Sequence, residues 1–202
     1  MKKKHITGLL SALFSFVLAG GVYALFQGPT PAVPDSFTAA RLQGSILAQD
    51  IVQTVSNSNE QLAEISRDDN AGDYQAALEV SARALNDAKE VPQHAVKLSK
   101  ELEIMLGGLA EVYPVEARAK AQEAIVAQIQ VITKLVAYND MLTQLLEELR
   151  LKLRANLNGV ASPGVAVQDR IDGINREIRN INILSKEFSD AMKEFDSYYG
   201  KK

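Results

Sequence analysis

Residues 74–112, YQAALEVSARALNDAKEVPQHAVKLSKELEIMLGGLAEV, decide the fold. Their apolar and small residues recur at alternating steps of three and four: Tyr74, Ala77, Ser81, Ala84, Ala88, Val91, Ala95, Leu98, Leu102, Met105, Leu109, Val112. That spacing is one face of a helix. Pro92 lies in the middle, and a proline ordinarily ends a helix at the residue before it. Two independent helices have no reason to hold one register across a break. The spacing therefore predicts one long helix kinked at Pro92, with Tyr113-Pro114 as its closing turn. Gly107-Gly108 is unusual inside it, because each glycine costs about 1 kcal/mol against alanine. Close helix packing, local bending or a sensor hinge would account for the pair.

The same periodicity extends to both sides. Upstream, residues 36–67 carry Phe37, Ala40, Gly44, Leu47, Ile51, Ser58 and Ile65 on one face, widened by Val55 and Leu62. Asp35 or Ser36 is placed to cap this helix, and the polar run from Asp68 to Asp73 ends it. Downstream, residues 115–157 carry Ala121, Ile125, Gln128, Ile132, Leu135, Asn139, Leu142, Leu146, Leu149 and Leu153, with Ile129, Val136 and Leu145 read as widening that face toward the core. Arg150, Lys152 and Arg154 in the last turns oppose the negative end of the helix dipole. After Asn158-Gly159 and a Ser162-Pro163-Gly164 loop, residues 165–199 repeat the pattern from Val167 to Tyr199, with Asp172–Arg176 and Lys186–Asp190 as outer-face pairs. Short loops make neighbouring helices antiparallel. The expected fold is all-α: an N-terminal transmembrane helix followed by an up-down-up-down bundle of four long helices.

The N-terminus reads as a membrane segment. Met1 to His5 is basic, and residues 6–26 contain no charge. Twenty-one helical residues span about 31 Å, the thickness of a bilayer's hydrocarbon core. Lysines precede the run and the next basic residue is Arg41, which keeps the N-terminus cytoplasmic and exports the body. Residues 1–27 are accordingly expected to be an anchor or uncleaved signal segment; a cleaved signal peptide, cut near Val22-Tyr23-Ala24, is the rival reading. Gly8 invites a pilin-type leader, but Leu13 stands where such leaders carry glutamate. Residues 28–35 hold Pro29, Pro31 and Pro34 and read as an extended linker, which leaves 36–199 as an extracytoplasmic bundle.

Composition narrows function mainly by exclusion. The net charge of −3 becomes about −6 once Lys2, Lys3 and Lys4 are set aside, which argues against a nucleic-acid partner. No cysteine is present, so disulfides, thiolate metal sites, a cysteine nucleophile and a lipidated N-terminal cysteine are excluded. Of the two histidines, His5 precedes the membrane segment, and His94 has neither a Gly-x-Ser-x-Gly turn nor a phosphate-binding glycine loop beside it. Glu90 with His94 has the wrong spacing for a di-iron bundle and occurs once. The expectation is that the protein is not an enzyme and uses no metal or cofactor.

One polar feature stands out. Gln128 and Asn139 interrupt the apolar seam of the 115–157 helix, and pairing that helix with 74–112 about Tyr113-Pro114 brings Asn139 level with Ala88. Its bland reading is a seam residue that fixes register. As a functional site it would be a polar notch beside the Pro92 kink that holds a small ligand, with His94, Tyr138 and Asn139 as the candidate binding residues.

Gly72-Asp73-Tyr74, Ala77 and Ala84-Leu85 resemble the second half of a tetratricopeptide repeat. Gln61 and Asp68 stand where that family has large aromatics, and no second copy follows at a 34-residue period. In layout the chain resembles single-pass, membrane-anchored bacterial proteins with a helical bundle, LemA-type proteins and extracytoplasmic sensor bundles among them. The layout implies a structural or protein-interaction module of the cell envelope, binding another envelope protein or itself. The alternative is a small-ligand-binding, sensor-like bundle.

Overall fold

Gly72 and Asp73 make the first corner. Gly72 adopts a left-handed φ of 80°, and the N–H groups of Gly72 and Asp73 return to the carbonyls of Asp69 and Asp68. This pair of bonds closes a helix in a Schellman motif. The Asp73 side chain then accepts from the Ala76 N–H at 3.1 Å and caps the next helix. A helix end followed at once by a helix start thus accounts for the Gly-Asp-Tyr stretch.

The computed structural model describes residues 33–161 and 167–200. The expected anchor, most of the expected linker and the Ser162-Pro163-Gly164 loop lie outside the described residues. Within them the fold is all-α: α1 (Asp35–Ala71), α2 (Tyr74–Ala88), α3 (Glu90–Gly108), a 3₁₀ turn (Leu109–Glu111), α4 (Val115–Leu157) and α5 (Val167–Ser197). With α2 and α3 forming one rod, four helical rods pack as a bundle. None of the described helices is long and apolar enough to cross a membrane.

The break between α2 and α3 is a single residue, Lys89, which stays right-handed helical at φ −71° and ψ −17°. Pro92 offers no N–H to the Ala88 carbonyl, so the fault appears in the preceding turn, where the Lys89 N–H bonds Asn86 instead. Register survives the fault: Ala77, Ala84, Ala88, Val91, Ala95 and Leu98 are all buried. Gly108 ends α3 and packs against Phe37 of α1, where an added methyl would lie 3.5 Å from the Phe37 Cβ. That is an ordinary van der Waals distance, so packing alone does not require glycine at this position. The capping expectation for α1 is corrected: Pro34 is the N-cap, and Asp35 lies in the first turn, where its carboxylate meets the positive end of the dipole.

Contacts along the rods show successive helices running in opposite directions. Gln61 of α1 bonds Asp87 of α2 at 2.7 Å, while Phe37 reaches the far end of α3. Lys120–Glu194, Lys134–Glu177 and Arg170–Glu148 join α4 to α5 in antiparallel order. Lys152–Asp69 ties the end of α4 to the end of α1. At the opposite end Arg41 grips Asp196 with two bonds of 2.7 and 2.8 Å and lies over the Phe195 ring, which contacts Phe37. Tyr199 donates to the Tyr113 carbonyl beside them.

The core face of α4 differs from the expected one in its width. Gln128 and Asn139 are buried in the seam, as is Leu145, but Ile129 and Val136 are 43% and 36% exposed. The face widens in the other direction, through Ala117, Ala124, Ala127, Val131 and Tyr138. Alanines there let neighbouring rods approach closely. Ile129 and Val136 lie at the partly exposed edge of the face.

Candidate functional site

Tyr138 and Asn139 lie deep in the bundle on α4. Tyr138 is 1% exposed and Asn139 is 5% exposed. The Tyr138 hydroxyl and the Asn139 Oδ1 have no hydrogen-bond partner, nor has the Gln128 Oε1 three turns away on α4. Burial pushes the Tyr138 phenol well above the usual tyrosine range, since the ionised form would be left without water. His94 is half-buried on α3, with its Nδ1 shielded and unpartnered.

Tyr138 and Asn139 are chain neighbours on α4, and His94 lies on a neighbouring rod, in α3. Counting back from Tyr113-Pro114, His94 comes level with Ile132–Thr133, about six residues or about 9 Å along the axis from Asn139. No hydrogen bond among the described residues joins His94 to either. Chemically, the group supplies neutral amide and hydroxyl functions and one imidazole, which suits recognition by hydrogen bonding. Among the described residues no group of three or more His, Asp or Glu is placed to hold a metal ion.

A groove of about 690 Å³ lies elsewhere, on the outside between α4 and α5. Ala119, Val126, Ala127 and Ala191 give it apolar walls, and Glu123, Glu187, Asp190 and Glu194 line it with carboxylates. Lys120 bridges Glu123 and Glu194, each at 2.9 Å, and these bonds hold its ammonium well above the usual lysine range. Lys186 bonds Asp190, whose carboxyl is held below its ordinary value. His94, Tyr138 and Asn139 do not line this groove.

Beside the groove runs a feature that a single-stripe reading of the sequence passes over. Ala119, Gln122, Val126, Ile129, Thr133 and Val136 are spaced three and four apart, to one side of the buried seam, and all are exposed. The signal was available as a second helical period on a face short of charge. No protein family, curated protein or solved structure matches the chain.

Proposed function

We propose that the protein is a membrane-tethered helical bundle serving as a structural or protein-interaction module of the cell envelope. Its N-terminus is cytoplasmic and its body extracytoplasmic. The basic Met1–His5 and the uncharged residues 6–26 support the tether and its direction. The observation that carries the interaction role is the outer face of α4, where Val126 and Ile129 are 46% and 43% exposed on a helix whose opposite face already fills the core. Helix-on-helix contact is the mode such a face offers. The protein acts without chemistry of its own in this reading. Crosslinking the tagged full-length protein in cells, then purifying it from membranes for mass spectrometry, tests it: a discrete adduct mapped to one helix face is expected, and a clean monomer contradicts it.

A second reading, a small-ligand-binding bundle, is favoured by the unpartnered Tyr138 hydroxyl and Asn139 Oδ1. It requires an envelope metabolite that raises the thermal midpoint of the protein, with Asn139→Leu abolishing the shift while raising basal stability. If that substitution leaves the shift intact, the notch is structural.

A further inference from the structure

The chain enters the bundle at one end, and the two ends differ in what they expose. Val33 packs against the core, and a methyl added at Gly108 would lie 3.8 Å from the Pro34 Cγ. The start of α1 is therefore fixed beside the end of α3. The Tyr113-Pro114 turn and the end of α5 share this end: Tyr199 donates to the Tyr113 carbonyl at 3.0 Å, and the Phe195 ring contacts both Phe37 and Tyr199. Tyr113 and Val115 are 61% and 59% exposed here, with Leu106 and Tyr198 also exposed. Asp35, Glu111 and Glu116 are exposed at the same end, while Arg41 is held by Asp196 and Arg118 donates inward to the Val112 carbonyl. Free charge among the described residues of this tip is therefore acidic, which disfavours an anionic partner. Apolar area and phenols are what the tip offers.

The length of chain that precedes Val33 says what this end faces. Seven residue steps separate Phe26, the last residue of the uncharged run, from Val33. A chain spans at most about 3.6 Å per residue, so the entry end is held within about 25 Å of the end of that run. Residues 27–32 carry no charge and add no charge-desolvation cost to a closer approach. The opposite end lies about 65 Å away along the 43 residues of α4. It also exposes Leu157 and Val160, but its tyrosine, Tyr74, packs against the core and its turn carries Asp68, Asp69 and Asp73. Exposed tyrosines thus stand at the end nearest the membrane segment. A tyrosine at a bilayer surface sets its ring against the acyl boundary and its hydroxyl among the headgroups, which is why such interfaces collect it. We infer that the tip formed by Leu106, Tyr113, Val115 and Tyr198 seats on the outer surface of the bilayer that holds the tether, on zwitterionic headgroups. The inference rests on the tether in the reading above and adds a second, non-covalent contact to it. Seated this way, the rod stands out from the membrane and presents the exposed stripe of α4 sideways.

The absence of cysteine gives a clean test on the full-length protein in phosphatidylcholine vesicles. Single nitroxide labels are placed through Phe16→Cys in the tether, Ala110→Cys beside the tip and Val160→Cys at the far end, with helicity checked by circular dichroism. Collisions with oxygen, which concentrates in lipid, and with a water-soluble nickel chelate are read by electron paramagnetic resonance. The label at 16 is expected to be closed to the chelate, the label at 110 to lose most of its chelate collisions relative to 160, and the label at 160 to remain open. Adding Tyr113→Asp and Val115→Asp to the Ala110→Cys protein should restore chelate collisions at 110 to the level at 160, because apolar area that held the tip to lipid is gone. A label at 110 as open as that at 160, with 16 closed, overturns the contact while the tether stands. Shielding at 110 that survives both aspartates in a helical protein overturns the assignment to these residues. Labels at 16 and 110 that are both open overturn the tether and the contact together, and a label at 160 as shielded as that at 110 overturns the end-on seating.

Discussion

Buried polar atoms without partners are the first place to test the account at the scale of single residues. The Asn139 Oδ1 and Gln128 Oε1 lost water on folding and gained no donor in return. Replacing a buried amide in that state by leucine removes a desolvation penalty of about 1–3 kcal/mol. Asn139→Leu is therefore expected to raise the urea midpoint of the protein, and lowering it would show that the amide is satisfied in solution. Tyr138→Phe deletes an unpartnered hydroxyl and should be neutral or stabilising by about 1 kcal/mol on the same measurement. Tyr199 gives the pH dependence: burial pushes its phenol from the ordinary 10.0 to about 12. The folded state keeps a proton that the unfolded chain has lost, so this contribution is complete below about pH 10 and is lost as pH rises through about 12. Tyr199→Phe should flatten that part of the stability profile, and an unchanged profile would show that the phenol titrates freely.

At the scale of elements, the helices follow local rules that can be broken one at a time. Asp73→Ala removes the cap on the Ala76 N–H and should cost about 1 kcal/mol, measured by thermal unfolding, whereas Asp73→Ser should largely restore it. No change in Asp73→Ala would mean that water serves the α2 N-terminus equally well. The elements were largely legible in the sequence. Val115–Leu157 begins and ends where the turn at Tyr113-Pro114 and the Asn158-Gly159 stop place it. The Pro92 fault was legible too, though its position at Lys89 depends on which hydrogen bond is surrendered, and that is a matter of backbone geometry. Ile129 and Val136 were misread because an apolar stripe looks the same whether it faces a core or a partner. Ala117, Ala124 and Ala127 were not recognised as core because alanine suits either side of a helix. As for the notch, the polar positions in the seam were legible. Whether His94 meets Tyr138 and Asn139 depends on the axial offset between two rods, which one residue pattern does not set.

At the scale of the whole molecule, the described helices leave an apolar stripe on α4 exposed. Arg41, Phe37, Phe195 and Asp196 join α1 to α5 where the chain enters the bundle, and Lys152–Asp69 ties the other end. The stripe of α4 from Ala119 to Val136 remains outside these contacts and exposed. An exposed apolar stripe makes sense if contact is the function, and the membrane tether proposed for residues 1–27 would raise the local concentration of the surfaces that must meet. The most direct measurement is site-specific photo-crosslinking of the tagged full-length protein in cells, with the probe at Ile129 on the stripe and, as control, at Asn57 on the exposed side of α1. The account predicts a discrete adduct from Ile129 and none from Asn57. Monomer alone from both positions would contradict it.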